Sequence, residues 1–143
     1  MLGADKGGNV FVGPTLPFGM AKPGPDYGDN EGNAGWKASG DLNGFSQLHV
    51  SGTGGGPKYG NILGQPRMGK ADPAHSSAPR EDEHAEVGYY SVRLGGAGIH
   101  AEVTTARRTP VYRFTYPATG ERTLLVDVGH LLMRRHDSPH RYP

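Results

Sequence analysis

The sequence of 143 residues contains no cysteine, which excludes a disulfide framework and any metal site built on thiolates. Only 34% of the residues are hydrophobic, and no apolar run approaches the length of a membrane-spanning segment. Fifteen basic and fourteen acidic residues give a net charge of +1, so electrostatics predict neither nucleic acid nor an anionic membrane as a partner. The N-terminus lacks the basic-then-apolar pattern of a signal peptide.

Glycine and proline are abundant, at 24 and 12 residues, and together make about a quarter of the chain. That share is typical of loop-rich sequences. Near-neutral charge and several patterned apolar runs argue against disorder. At this length we expect one domain with a sizeable core.

The second half of the chain carries the clearest structural pattern. Residues 87–94 and 99–105 alternate apolar and polar side chains on either side of a glycine-rich turn, which predicts a β-hairpin with one wet face. Residues 111–116 and 122–128 supply two further strands, so four successive strands predict an antiparallel meander. No segment shows a capped apolar repeat of helical length. The sequence therefore predicts an all-β chain.

The first half is harder to interpret. Residues 10–12 and 45–50 each predict a short strand. Residues 66–86 are predicted to be a polar connector, with the acidic residues 81–83 in a solvated loop.

A glycine-rich loop follows His49, and loops of this kind let backbone amides approach a ligand closely. It does not bind nucleotide in the known ways, because Pro57-Lys58-Tyr59 stands where a phosphate-binding loop needs glycine, lysine and serine or threonine. Pro57 also lacks an amide donor and breaks the dinucleotide-binding glycine pattern. Another class of ligand is indicated.

Two aromatic side chains have both a structural and a functional interpretation. His49 is either a hydrogen-bonded sheet histidine or a donor to a sugar hydroxyl at the sheet edge. Trp36 is either a core anchor or a stacking platform for a pyranose face. The C-terminal histidines 130, 136 and 140 follow no metal-binding spacing and are predicted to be solvated, so no metal ligand is assigned.

Catalytic groups were sought among the acidic residues, because glycoside hydrolysis needs a pair of carboxylates. Asp26, Asp29, Asp41 and Asp127 form no recognisable arrangement, and no serine lies in a nucleophile elbow. No catalytic residue is assigned.

Several ordered blocks nevertheless resemble one known family. They are residues 9–20 (NVFVGPTLPFGM), 44–54 (GFSQLHVSGTG), 58–62 (KYGNI), 87–92 (VGYYSV), 105–108 (TARR) and 112–117 (YRFTYP). In this order they resemble glycoside hydrolase family 92, the calcium-dependent exo-acting α-mannosidases, over about residues 3–130.

The resemblance implies a fold and an activity. The N-terminal domain of that family is an antiparallel β-sandwich of the galactose-mutarotase-like supersandwich type, packed on a C-terminal (α/α) barrel with the mannose pocket between them. The intact enzymes hydrolyse terminal α-linked mannose of glycans with inversion and use calcium. Acid, base and most calcium ligands belong to the barrel. Family members are usually secreted or periplasmic.

On this basis residues 1–130 are predicted to be a partial, apparently truncated sandwich and residues 131–143 an irregular tail, with the barrel absent and the chain alone inactive. The predicted substrate-binding residues are Trp36, His49, Ser51, Gly52, Thr53 and Gly54. Trp36 is predicted to face the sugar, and the other five to bind hydroxyls or order the loop. The predicted partners are an α-mannoside glycan and the barrel domain, without nucleic acid or membrane. Two alternatives stay open: a stand-alone, non-catalytic carbohydrate-binding or scaffold module, and a non-functional gene remnant.

Overall fold

The structure, a computed structural model, describes residue 4 and residues 10–27, 34–51 and 59–132. All regular secondary structure in these ranges is strand. The strands are β1 (Gly24–Tyr27), β2 (Leu42–Ser46), β3 (Leu63–Met68), β4 (Arg80–Glu86), β5 (Tyr89–Leu94), β6 (Ile99–Thr105), β7 (Pro110–Thr115) and β8 (Arg122–Asp127). A search of the same residues finds no helix with the length and apolar character needed to cross a membrane.

The eight strands form two antiparallel sheets of four strands each. One sheet has the order β1-β2-β3-β8 and the other the order β4-β5-β6-β7. Every neighbouring pair is antiparallel. One core cluster takes residues from both sheets, so the sheets pack face to face and the predicted all-β sandwich is confirmed.

The core lies between β2 of the first sheet and the inner faces of β5, β6 and β7. Phe45 is fully buried, and its ring centroid lies 6.3 Å from Tyr90, 6.3 Å from Tyr112 and 5.9 Å from Phe114. Aromatic pairs at these separations stabilise by about 1 kcal/mol beyond the burial of their area. Phe45 therefore joins the two sheets.

The predicted hairpin is confirmed by β5 and β6, whose register runs from Tyr90 opposite Val103 to Leu94 opposite Ile99. The predicted four-strand meander is wrong at its last strand, because β8 pairs with β3 in the other sheet. The chain changes sheets just after β7, where Pro117 has no amide donor and Gly120 has a φ of 102°. Both features stop hairpin pairing from continuing.

Three expectations for the first half are also corrected. The predicted connector 66–86 contains the end of β3 and all of β4, and residues 10–12 form no strand although Phe11 and Val12 are buried. The strand predicted over 45–50 is β2, which ends at Ser46.

The acidic residues 81–83 belong to β4 and not to a loop, although Glu81 and Asp82 are exposed to solvent as predicted. The register of β4 shifts between Glu81 and His84, and Asp82 has a φ of 50°. Bulges of this kind change the direction in which a side chain points. Glu83 accordingly has only 15% of its side chain exposed.

Candidate functional site

A buried carboxylate lies near the end of β1 and holds two histidines. Asp26 is 0% exposed, with its Oδ1 2.6 Å from Nε2 of His49 and its Oδ2 3.0 Å from Nε2 of His130. The other ring nitrogen of His49, Nδ1, lies 2.8 Å from the carbonyl oxygen of Lys22. His49 itself is 2% exposed. Both carboxylate oxygens and both ring nitrogens of His49 therefore have partners inside the protein.

The contact between Asp26 and His49 is an ion pair. Burial by itself raises the pKa of Asp26, but the charge of His49 and hydrogen bonds from His130, His49 and Ser46 hold that pKa below its usual value. Burial likewise lowers the pKa of His49, yet the charge and hydrogen bond of Asp26 and the Lys22 carbonyl give a net increase. Both ring nitrogens of His49 face oxygen acceptors, which is the hydrogen-bonding pattern of an imidazolium beside a carboxylate, and both pKa directions agree with it.

His49 also lies at the base of the glycine-rich loop. Its backbone forms a bridge with Tyr59, and the amide of Gly60 donates to the carbonyl of Leu48 at 2.8 Å. The amide of Leu132 donates in turn to the carbonyl of Tyr59 at 2.8 Å. The two chain stretches that flank residues 52–58 are thus joined to each other and to Leu132.

Close packing at this base requires glycine at position 60. Gly60 has a φ of 61°, and a Cβ there would lie 2.4 Å from Cγ of Leu132. No side chain tolerates that separation, so only glycine allows Leu132 to reach its buried position.

Of the predicted site residues from 49 to 54, two lie within the described residues and three lie outside them. His49 and Ser51 are described, and Ser51 is half-buried at the start of the loop. Gly52, Thr53 and Gly54 lie outside the described residues. The contacts of His49 favour its predicted loop-ordering role, whereas binding of a sugar hydroxyl by any of these residues stays a prediction.

Trp36 lies in the core cluster with 5% exposure. Its Nε1 donates to Oε1 of Glu83 at 2.9 Å, and the hydroxyl of Tyr90 donates to the same oxygen at 2.8 Å. The guanidinium of Arg80 lies 5.5 Å from the indole ring centroid and donates to Oε2 of Glu83 at 2.7 Å. These contacts favour the core-anchor interpretation, and stacking of Trp36 on a sugar stays a prediction.

A second group of polar side chains adjoins His130, and sequence reasoning missed it. Nε2 of His75 lies 2.9 Å from Oδ2 of Asp127. Ligand atoms of His75, Asp127 and His130 all lie within 4.8 Å of one another, and we call these three residues the His75–Asp127–His130 cluster. The expectation that His130 is solvated is wrong, because it is 8% exposed. No local spacing signals the cluster, since His75 precedes β4 and Asp127 ends β8.

Comparison with known proteins identifies the family of this sandwich. The sequence matches the Glycosyl hydrolase family 92 N-terminal domain over residues 1–141. The chain belongs to this family. A solved family GH92 α-mannosidase from Bacteroides thetaiotaomicron is 33% identical to the family 92 domain described above, with a TM-score of 0.82. The match covers 91% of this chain and 19% of that chain.

Further relatives of the family 92 domain give the same result. The Bacteroides thetaiotaomicron enzyme in complex with mannoimidazole matches with a TM-score of 0.81, 33% identity, and coverage of 91% of this chain and 19% of that chain. A protein of Arthroderma benhamiae, named an uncharacterized secreted glycosidase, is 32% identical over 128 residues, covering 82% of this chain and 16% of that protein. The family 92 domain thus spans less than a fifth of the length of each of these relatives.

The described ranges of the family 92 domain contain one group of side chains that could bind a metal ion. This group is the His75–Asp127–His130 cluster, which offers two imidazoles and one carboxylate as ligands. Calcium takes six to eight oxygen ligands, whereas imidazole suits transition metals. The donor set of this cluster does not fit calcium.

Proposed function

We propose that this chain is the N-terminal β-sandwich of an inverting, calcium-dependent α-mannosidase that removes terminal α-linked mannose from glycans. One observation carries the proposal: the solved Bacteroides thetaiotaomicron α-mannosidase shares this fold with a TM-score of 0.82 and 33% identity across 91% of the chain. In the proposed enzyme the sandwich forms one wall of the mannose pocket, and a C-terminal (α/α) barrel forms the other wall.

Exposed apolar side chains on the sandwich are consistent with a second domain packed against it. Phe18 is fully exposed and Met20 is largely exposed, both shortly after Pro17. Leu124 and Val126, two residues apart on one face of β8, are 48% and 53% exposed. Apolar residues grouped on a surface mark interaction sites, and a packed second domain would cover them.

The boundary of the sandwich is proposed to follow Leu132 rather than residue 130. Leu132 is 1% exposed and bridges Tyr59, so it packs as part of the domain. The proposed barrel would then begin beyond this point in a longer protein.

Asp26 and Glu102 are both unsuited to act as the catalytic acid. A general acid in glycoside hydrolysis needs a raised pKa and access to the glycosidic oxygen. Asp26 has a lowered pKa and no exposed surface. Hydrogen bonds from Arg113 lower the pKa of Glu102 to about 2, against burial, with help from Tyr89. Both carboxylates act as fixed negative charges that hold the sandwich together.

The contribution of this chain is therefore positioning of the pocket wall. The ion pair between His49 and Asp26 fastens the base of the glycine-rich loop, and residues 51–54 of that loop are proposed to contact mannose hydroxyls. Calcium is proposed to bind through ligands that belong mainly to the barrel. Export from the cell is proposed because the Arthroderma benhamiae relative is named a secreted glycosidase.

A domain exchange tests the proposed function. This chain replaces the N-terminal domain of the Bacteroides thetaiotaomicron α-mannosidase, and release of mannose is measured with and without calcium. We expect calcium-dependent activity well above that of the enzyme without an N-terminal domain, and lower activity when the chimera carries His49→Ala. A folded chimera with no more activity than the truncated enzyme would overturn the proposal.

Titration calorimetry of the chain alone with mannose distinguishes the proposed pocket wall from a stand-alone carbohydrate-binding module. A single pocket wall gives no measurable heat of binding at millimolar sugar, because half of the contacts are missing. Saturable binding at that concentration would instead favour a stand-alone carbohydrate-binding module.

A further inference from the structure

The His75–Asp127–His130 cluster brings together three side chains from separate parts of the fold. His75 belongs to the connection between β3 and β4, Asp127 is the last residue of β8, and His130 follows shortly after it. Their side chains are 39%, 29% and 7% exposed, respectively. The cluster thus has one buried ligand and two at the surface, with an open side toward solvent.

The buried ligand is already oriented by a carboxylate. Nε2 of His130 lies 3.0 Å from Oδ2 of the fully buried Asp26. An ionised carboxylate has no proton to donate, so in this hydrogen bond Nε2 of His130 is the donor and Asp26 the acceptor. A metal-bound imidazole at this position would donate from Nε2 to Asp26 and present the lone pair of Nδ1 to the ion. Histidines that bind metals commonly donate their other ring N–H to a carboxylate, which fixes the tautomer and the ring orientation.

The carboxylate ligand, Asp127, is also oriented by a hydrogen bond within the protein. The amide of Gly129 donates to Oδ1 of Asp127 at 2.8 Å, and the other oxygen, Oδ2, lies 2.9 Å from Nε2 of His75. Ligating carboxylates are usually hydrogen-bonded through their second oxygen. Two of the three potential ligands are therefore held by groups behind them.

The donor set and the spacing suit a tetrahedral transition metal. Bonds of about 2.0–2.1 Å place tetrahedral ligand atoms roughly 3.3 Å apart. The three ligand atoms lie within 4.8 Å of one another, and Nε2 of His75 lies 2.9 Å from Oδ2 of Asp127, so no pair has to move by more than about 1.5 Å to reach that spacing. His75 is the exposed member and can move, whereas His130 is fixed by Asp26. Two imidazoles, one carboxylate and a water complete a common zinc coordination.

We propose that the His75–Asp127–His130 cluster binds one zinc-like divalent transition-metal ion. The bound ion joins the β3–β4 connection to the end of β8. Through His130 and Asp26 it is also linked to β1 and to His49, at the base of the glycine-rich loop. This site differs in donor chemistry from the proposed calcium site, and the proposal does not depend on mannosidase activity.

The test uses the 143-residue chain purified without a histidine tag and stripped of metal by a chelator. Zinc is titrated by calorimetry, and cobalt is added in parallel so that its visible absorption reports the coordination geometry. We expect one equivalent of zinc to bind with a Kd at or below about 10 μM, with intense tetrahedral cobalt bands and no equivalent response to calcium.

Three variants locate the site. His75→Ala and Asp127→Asn should each weaken zinc binding at least tenfold and reduce the cobalt bands. His84→Ala is the matched control, because His84 also lies near a carboxylate, Glu86, with 61% of its side chain exposed. It should leave the affinity within twofold. Absence of saturable zinc binding below about 1 mM, or unchanged binding in both His75→Ala and Asp127→Asn, would overturn the proposal. Circular dichroism confirms that each variant is folded.

Discussion

Nε2 of His49 lies 2.6 Å from Oδ1 of Asp26, and the two side chains are 1% and 0% exposed. A charged pair this deep in a protein is costly to desolvate, and it is tolerated only when further hydrogen bonds satisfy both partners. The carbonyl of Lys22 and the ring of His130 provide those bonds. The pair joins β1 to the segment that enters the glycine-rich loop.

Loss of the histidine should therefore be strongly destabilising. We predict that His49→Ala lowers the free energy of unfolding by about 3–5 kcal/mol, because Asp26 stays buried with one of its two histidine partners removed. Urea denaturation measures the change. His84→Ala, at an exposed position, should change stability by no more than about 0.5 kcal/mol. A similarly small effect of His49→Ala would contradict the ion-pair assignment.

The same pair predicts a pH dependence with a defined sign. The pKa of His49 is raised in the folded state, so its stabilisation is complete below the unfolded value of about 6.5 and is lost as pH rises through the folded pKa. The pKa of Asp26 is lowered, so its stabilisation is complete above about 3.9 and is lost as pH falls through the folded pKa.

The stability difference between the wild-type chain and His49→Gln should accordingly be largest between about pH 4 and 6.5 and should shrink in alkaline solution. Denaturation series across pH measure this difference. A difference that rises as pH increases to about 7 and is constant above that value would show that His49 is buried in its neutral form.

Trp36 provides a direct optical measurement, because it is the single tryptophan of the chain. With 5% exposure and a hydrogen bond to Glu83, its fluorescence should be blue-shifted and poorly quenched by acrylamide. Methyl α-mannoside should leave the emission of the isolated chain unchanged. Efficient quenching, or a shift on adding the sugar, would instead favour the predicted stacking platform.

Gly60 tests the packing at the base of the loop. Gly60→Ala combines left-handed backbone strain with a Cβ 2.4 Å from Cγ of Leu132, so we expect a loss of about 3 kcal/mol. Gly96→Ala is the matched control, since Gly96 has a φ of 74° and no atom within 4 Å of an added Cβ. It should cost only about 1 kcal/mol. Equal losses for the two variants would mean that Leu132 does not pack against Gly60.

Local patterns predicted the strands well where pairing is local. The alternation around the turn between β5 and β6 gave the hairpin because the two strands are neighbours in sequence. The same alternation could not assign β8 to its sheet, because its partner β3 lies more than fifty residues earlier. Strand β4 could not be predicted from alternation, because Ala85 is its single apolar residue and the other six are polar or charged.

The sequence predicted only part of the candidate site, because most of its contacts join distant segments. The motif around His49 drew attention to that residue, but its partners Asp26 and His130 come from distant segments. Spacing in the C-terminal region made His130 look solvated, and only the pairing of β8 with β3 brings it to the buried carboxylate. Long-range contacts of this kind leave no local signal.

The most direct test of the account is an assay of the purified 143-residue chain with an aryl α-mannoside and calcium. The solved Bacteroides thetaiotaomicron α-mannosidase serves as the positive control, and blue-shifted Trp36 emission verifies that the chain is folded. We predict no turnover above the buffer blank, because the proposed role of the sandwich is to form one wall of the pocket while the barrel supplies the reacting carboxylates. Calcium-dependent turnover by the folded chain would contradict the account.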